Sequence, residues 1–125
     1  MPHYQINDAK EACWAFEPTQ AVNYCEAHDN NTLWDKLCIS AKNDSEDVRI
    51  KMDKLAAAIV ILSQGMPFIQ LGQDFLRSKP RILKEGEEPN DVNIYSHDSY
   101  NAPDYTNSIK WNRKLEYKEI GRAHV

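Results

Sequence analysis

The sequence predicts an α/β fold built on parallel strands, and two observations carry this prediction. The first is a short apolar run that ends abruptly in the polar residues at positions 28–30. In parallel α/β proteins, a packed strand presents polar side chains at its carboxyl end, where the following loop opens. The second is the order strand, helix, strand over residues 21–71, which predicts a βαβ unit with a right-handed crossover.

The elements of this unit can be placed in order. Residues 21–25 predict the first strand, and the polar residues 30–32 break it and can cap a short helix over residues 33–39. The acidic stretch 43–47 provides a side-chain cap and first-turn negative charge for a long helix over about residues 46–63. We expect Gly65 to end this helix in a left-handed cap position.

The long helix carries one apolar stripe, which we expect to be core. Its members recur at steps of three and four residues, the period of a single helix face. They are Val48, Met52, Leu55, Ala56, Ile59, Leu62 and Ser63.

A second strand and a long loop follow. Residues 66–71 are mostly apolar, and their proline stands near the start, where a strand tolerates one. Residues 72–75 turn the chain out of the strand. Residues 79–98 are polar and predict a long loop. Residues 95–111 are richer in aromatics, which indicates an ordered, substrate-facing loop.

Composition excludes several classes of function. The chain has 125 residues, 42% of them hydrophobic, and a net charge of −4. We therefore expect no nucleic-acid partner, because there is no basic field, and no membrane partner, because no apolar run approaches roughly 20 residues. Cys13, Cys25 and Cys38 form no close pairs, which argues against disulfides and a zinc site. We expect Cys25 and Cys38 to be small buried residues in a reducing, cytoplasmic compartment.

Four runs, in this order, resemble the type I pullulanases, debranching enzymes of the α-amylase superfamily. VNYCEAHDN (22–30), followed by TLWDKL (32–37), is similar to the seventh strand and its loop. LSQGMPF (62–68) and GQDFLRSK (72–79) are similar to the eighth strand and its exit. SYNAPD (99–104), with Asn107 and Trp111, resembles the loop over the non-reducing side of the cleft. The match covers about residues 18–113, and Asp74 stands where the family usually has glutamate.

The resemblance implies a partial (β/α)8 barrel within residues 1–118. It would contain strands seven and eight, the intervening helix and the long loop after strand eight. We interpret residues 119–125 as a non-native tail, because their sequence resembles the translation of a sequencing adapter. An ordinary chain terminus is the alternative.

The resemblance also implies roles for individual residues. Retaining glycoside hydrolysis needs a nucleophile and an acid/base, and this superfamily adds a third carboxylate that stabilises the transition state. Asp29 would be that third carboxylate, and His28 would donate a hydrogen bond to the same sugar. Asn30 and Asp104 are the further candidate substrate-binding residues. The resemblance implies no cofactor and no metal site.

Each of these residues also has a plainer interpretation. Asp29 could cap the helix that starts near Thr32, and Asp104 could be a turn carboxylate after Pro103. Trp34 could stack on a sugar, although packing under the loop is the better expectation. We expect Tyr24 to be core and Arg77 to pair with an acid of the closing loop.

The family's nucleophile and acid/base lie on its fourth and fifth strands, and no stretch before Ala21 could supply them. We therefore expect the isolated chain to be inactive, and the parent enzyme to cleave α-1,6 links in pullulan, starch or glycogen. Isoamylase, glycogen debranching enzyme and α-amylase are alternative parents, and a non-catalytic glucan-binding or interaction fragment is an alternative of another class. Uncovered strand edges and an uncovered helix stripe predict poor solubility or a partly molten state.

Overall fold

The computed structural model describes residue 15 and residues 17–116. The predictions for Cys13 and for residues 119–125 lie outside this part of the chain. The described elements are β1 (Val22–Asn23), α1 (Leu33–Ser40), α2 (Glu46–Leu62), β2 (Met66–Pro67), α3 (Asp104–Asn107) and α4 (Asn112–Glu116). Two 3₁₀ turns, Pro18–Gln20 and Gln73–Phe75, complete the order.

The two strands pair in parallel, which confirms the predicted order of strand, helix and strand. Val22 is in register with Met66, and Asn23 with Pro67. The Met66 N–H donates to the Ala21 carbonyl at 2.9 Å. Each strand spans two residues, fewer than predicted. Parallel strands are normally covered on both faces, and the described residues give each strand one neighbour.

The helices α1 and α2 both begin at side-chain caps. The Thr32 hydroxyl accepts the Asp35 N–H at 3.1 Å, and the Ser45 hydroxyl accepts the Val48 N–H at 3.4 Å. The acidic residues in the first turn of α2 interact favourably with the positive end of its helix dipole. The two predicted starts are confirmed, and each predicted end is within one residue of the observed one.

Gly65 allows close approach of the strands and does not cap the helix, so its predicted role is wrong. The C-cap of α2 is Ser63, in extended conformation, with its N–H bonded to the Ile59 carbonyl. Gly65 has φ +134°, and a Cβ there would lie 2.6 Å from Asn23 Nδ2. That amide donates to the Gln64 carbonyl at 2.9 Å, so β1 passes directly over the glycine.

The buried face of α2 is not the predicted stripe. Asp53, Ala57 and Val60 are the buried residues of this helix. Leu55, Ile59 and Leu62, which we expected in the core, are 62%, 59% and 83% exposed. The core prediction is therefore wrong for these three residues and for Ser63, whereas Val48, Met52 and Ala56 are half-buried. The described chain packs α1 against α2, and within residues 17–116 the side chains of Leu55, Ile59 and Leu62 stay largely uncovered.

The predicted core position of Tyr24 is also wrong. This side chain is 59% exposed and meets Phe68 edge-on, with ring centroids 6.0 Å apart. The two rings lie beyond the paired residues of β1 and β2. Their exposure extends the uncovered apolar surface from α2 onto the strands.

The core lies between α1 and the segment after β2. Trp34 and Leu76 are 6% and 0% exposed, and Cys38 and Ile50 pack against them. The packed position expected for Trp34 is confirmed. Leu76 has φ +58°, a left-handed conformation that costs a non-glycine residue about 1–2 kcal/mol. Burial of a leucine side chain contributes about 1.5–3 kcal/mol, which can offset this cost.

The long loop has no helix or strand over residues 79–98, apart from one isolated bridge between Pro80 and Tyr95. Backbone hydrogen bonds nevertheless hold it: the Arg81 N–H donates to the Ile94 carbonyl at 2.8 Å. Arg81 also pairs with Glu87 at 2.7 Å. Among the helices of the described chain, none is long and apolar enough to cross a membrane.

Candidate functional site

The turn after β1 presents an imidazole and a carboxylate side by side. The side chains of His28 and Asp29 are 86% and 75% exposed, and Nε2 lies 3.6 Å from Oδ2. Asn30 follows with φ +60°, a conformation that asparagine enters more readily than most residues. A ring N–H donor beside a carboxylate acceptor can bind adjacent hydroxyl groups.

Asp29 does not cap α1, so that interpretation of Asp29 is wrong. Thr32 provides the cap, and the Glu26 carboxylate accepts the Leu33 N–H. The N–H groups of Leu33 and Asp35 are therefore satisfied without Asp29. Its carboxylate is left facing solvent beside His28.

A buried carboxyl group comes just before this turn in the chain and was missed by the sequence reasoning. Glu26 is 5% exposed, and burial raises its pKa to about 6, against the lowering effects of the Leu33 amide and Arg77. Asp53 of α2 is 3% exposed, and burial, together with the negative charge of Glu26, raises its pKa to about 7. The available signal was a carboxylate between Cys25 and Ala27, within an otherwise apolar run.

Lys79 is the second functional candidate that the sequence reasoning missed, since it was assigned to the start of a polar loop. It is 2% exposed. Its ammonium donates to the His28 carbonyl at 3.0 Å and to the Ser99 hydroxyl at 3.3 Å. Its backbone N–H donates to Asp35 Oδ2 at 2.8 Å.

Asp104 lies apart from the His28–Asp29 pair. It is exposed at the first residue of α3, directly after Pro103, and its charge acts on Lys110. The loop around it is fixed by Asn107, whose side-chain amide donates to the Ser99 carbonyl at 2.8 Å. Asp104 thus belongs to the same loop that Lys79 contacts through Ser99.

Arg77 contacts this loop through a backbone carbonyl and not through the acidic side chain that was predicted. Its guanidinium donates to the Asn107 carbonyl at 3.2 Å and to the Leu71 carbonyl at 3.4 Å. Among the described residues it forms no ion pair with an acid of the closing loop, so that prediction is wrong. The backbone carbonyl of Asn107 takes the place of the expected acid.

A cleft of about 710 Å³ opens within the long loop, separate from His28 and Asp29. Its wall includes Tyr95, His97, Tyr100 and Asn101. The turn after β1, by contrast, is open surface in this chain. No group of three His, Cys, Asp or Glu side chains within the described residues is arranged to hold a metal ion.

Comparison with known proteins gives one consistent group of relatives, although no family model matches the chain. The pullulanase of Bacillus subtilis strain 168 is 38% identical over 103 residues, covering 82% of this chain and 12% of that protein. The pullulanase of Klebsiella aerogenes is 34% identical over 109 residues, covering 86% of this chain and 9% of that protein.

Comparison with solved structures gives the same group of relatives. A pullulanase of Anoxybacillus sp. LM18-11, complexed with maltotetraose, is 45% identical with a TM-score of 0.70, covering 86% of this chain and 14% of that one. The type I pullulanase of Bacillus subtilis strain 168, complexed with maltose, is 36% identical with a TM-score of 0.66, covering 85% of this chain and 13% of that one. The chain therefore spans about a tenth of the length of these curated relatives, 9–12%.

Proposed function

We propose that this chain forms one wall of the active site of an α-1,6-debranching glycoside hydrolase. The reason is that the chain belongs to the pullulanase family, as a segment homologous to type I pullulanases. The observation that carries the proposal is the exposed His28–Asp29 pair in the turn that follows β1, five residues after the last strand residue, Asn23. Parallel α/β barrels place catalytic groups at the carboxyl ends of their strands and in the loops that follow.

The proposed fold of the parent is a (β/α)8 barrel. In it β1 and β2 would be strands seven and eight, α2 the helix between them, and residues 79–116 the long loop after strand eight. Parallel pairing of β1 with β2 supports this assignment. So does the exposed apolar face of α2, which neighbouring barrel elements would cover. The barrel would include residues 1–118, with residues 119–125 as a non-native tail.

We assign Asp29 as the third carboxylate of the retaining mechanism. It would bind hydroxyls of the sugar next to the scissile bond and stabilise the positively charged transition state, with His28 donating to the same sugar. Fixed groups of this kind contribute on the order of a few kcal/mol each. Support comes from the two exposed side chains, 3.6 Å apart, and from the helix cap that leaves Asp29 available.

Two further residues are assigned to neighbouring sugars. Asn30 extends the same turn, and its side chain is exposed beside Asp29. Asp104 is exposed on a loop that Asn107 and Arg77 fix in place. The nucleophile and the acid/base would come from other parts of the parent, so the isolated chain is expected to hydrolyse nothing. No cofactor is required.

The proposed substrate is a branched α-glucan, such as pullulan, starch or glycogen. Relatives support it, since solved pullulanases are complexed with maltotetraose, maltotriose, and maltohexaose with α-cyclodextrin. Such glucans present the vicinal hydroxyls that an imidazole and a carboxylate can bind together.

Product analysis with pullulan tests the proposal. The full-length protein that carries this segment should release maltotriose, because that trisaccharide lies between successive α-1,6 links. Trisaccharides that retain an α-1,6 link would identify an α-1,4-cleaving parent and overturn the assignment. Binding without any product would favour a non-catalytic glucan-binding protein. The isolated 125-residue chain, assayed in parallel, should release no reducing sugar.

A further inference from the structure

Lys79 is a charged side chain in an unusual place. Lysine is almost never fully buried unless its ammonium is paired, yet Lys79 is 2% exposed. The ammonium donates to the His28 carbonyl at 3.0 Å and to the Ser99 hydroxyl at 3.3 Å. It therefore joins the turn after β1 to the loop that precedes α3.

Nearby carboxylates reduce the cost of burying this charge. Burial and the neighbouring Arg77 guanidinium lower the pKa of Lys79, while the Asp35, Asp29 and Glu26 carboxylates oppose that change. An ammonium buried without such partners would strongly destabilise the folded state. Asp29, although exposed, is thus close enough to act on the ammonium.

The backbone of Lys79 is fixed as firmly as its side chain. Its N–H donates to Asp35 Oδ2 at 2.8 Å, and its carbonyl accepts the Ser96 N–H at 2.8 Å. Asp35 is fully buried in α1, whose start is capped by Thr32. The ammonium is therefore a fixed point with respect to the helix that follows the His28–Asp29 turn.

The hydrogen bond to the His28 carbonyl fixes more than the position of one oxygen atom. That carbonyl belongs to the planar peptide group between His28 and Asp29, so fixing it restricts the ψ angle of His28 and the φ angle of Asp29. Those angles set the direction in which both side chains leave the turn. Asn30, with φ +60°, adds a less favoured conformation that this anchoring helps to maintain.

We infer that Lys79 is a positioning residue for the His28–Asp29 pair, acting through the His28 carbonyl, and that its bond to Ser99 couples the pair to the closing loop. This inference rests on the proposed function of Asp29. Lys79 itself touches no substrate in this account.

The test uses the full-length protein with Lys79→Met, and Lys84→Met as the matched control, because Lys84 is an exposed lysine of the same loop. We expect kcat on pullulan, per folded molecule, to fall about 10- to 100-fold in Lys79→Met, since misplacement by about 1 Å can cost on the order of 100-fold. KM should change far less, and Lys84→Met should match wild type. The folded fraction is measured by thermal melting.

The decisive comparison adds Lys79→Met to Asp29→Asn. If Lys79 acts through the pair, its substitution has little further effect once Asp29 is changed, whereas independent effects multiply. If Lys79→Met does not fold, Ser99→Ala replaces it, with an expected two- to fivefold loss of kcat that also vanishes beside Asp29→Asn.

Each remaining outcome overturns the inference. Wild-type kcat in Lys79→Met, or in Ser99→Ala when Lys79→Met does not fold, shows that the ammonium sets no catalytic geometry. Full multiplication with Asp29→Asn shows a merely structural role. If the wild-type protein cleaves no α-glucan, the proposed function fails first, a result that is distinct from an active enzyme indifferent to Lys79.

Discussion

Two regions of the described chain differ in how much of their apolar side-chain surface is buried within the chain. Around α1 and residues 73–79, the large apolar side chains Trp34, Phe75 and Leu76 are all at most 6% exposed. The unit of β1, α2 and β2, with the residues directly after each strand, differs, although its Val60 is only 6% exposed. Nine of its large apolar side chains are between 42% and 83% exposed: Val22, Tyr24, Leu55, Ile59, Ile61, Leu62, Met66, Phe68 and Ile69.

This difference separates what the chain builds alone from what it shares. Caps, buried charges and a small core fix the loops that carry His28, Asp29 and Asp104. The strand–helix unit instead offers apolar surface of the kind that other elements of a barrel would cover. We therefore expect substitutions in the first region to change the stability of this chain, and substitutions on the exposed stripe to change stability only in the full-length protein.

The largest effect is expected at Leu76. Leu76→Ala removes a fully buried side chain from the core and should reduce the free energy of opening around α1 by about 2–5 kcal/mol. Amide hydrogen exchange of the α1 amides in the full-length protein measures this. Leu115→Ala, at a position 75% exposed, is the control and should change it by less than about 0.5 kcal/mol. Equal effects would contradict the assigned core.

Gly65 tests the contact between the two strands. Gly65→Ala combines a positive φ with a Cβ 2.6 Å from Asn23 Nδ2, so it should destabilise the folded chain by about 2–3 kcal/mol. Gly86 also has a positive φ, +80°, but a Cβ there would meet nothing within 4 Å, so Gly86→Ala should cost only about 1 kcal/mol. Urea unfolding of both variants compares them, and equal losses would mean that the strands do not approach as described.

The buried carboxyls predict a pH dependence for the isolated chain. A carboxyl whose pKa is raised on folding stabilises the folded state below its unfolded pKa, and this contribution is lost as pH rises through the folded value. For Asp53 the window runs from 3.8 to about 7, and for Glu26 from 4.5 to about 6. Stability should therefore fall as pH rises from 4.5 to 7.5.

Asp53→Asn identifies the source of that dependence. It should flatten the pH profile and stabilise the chain at pH 7.5 by about 1–3 kcal/mol, measured from urea midpoints at the two pH values. Glu85→Gln, at an exposed carboxylate of the long loop, is the control and should reproduce the wild-type profile. A wild-type slope in Asp53→Asn would mean that Asp53 is not the group responsible.

The smallest effect on stability is expected at Leu62, which is 83% exposed. Leu62→Ser should alter the unfolding free energy of the isolated chain by no more than about 0.5 kcal/mol, while reducing its self-association in sedimentation velocity. In the full-length protein the same change should lower the melting temperature, because the stripe would be covered there. No loss in the full-length protein would count against a covered stripe.

Local signals predicted the parts of the fold that depend on neighbouring residues in sequence. Thr32 and Ser45 cap the helices because their hydroxyls reach amides three residues ahead, a bond that sequence spacing can indicate. The parallel pairing of β1 and β2 followed from the order of elements. The turn at His28 and Asp29 follows β1, as the abrupt change from an apolar run to polar residues indicated, and the roles of its side chains remain a proposal.

The rest depends on contacts between distant segments. The apolar period of α2 is real, but which face is buried depends on the elements that lie against it, and here Asp53, Ala57 and Val60 face the chain. Nothing in the sequence around Gly65 indicates that a Cβ at this position would lie 2.6 Å from Asn23 Nδ2. Lys79 lies 51 residues from His28 in sequence, so their hydrogen bond could not be read from spacing.

Replacing Asp29 by asparagine in the full-length protein tests the central claim most directly. The account predicts that Asp29→Asn lowers kcat on pullulan about 100- to 1,000-fold per folded molecule, with a smaller change in KM, because the charge acts chiefly in the transition state. Asp44→Asn, at an exposed carboxylate remote from the turn, should leave kcat unchanged. Wild-type kcat in Asp29→Asn would contradict the assignment of this turn to the active site.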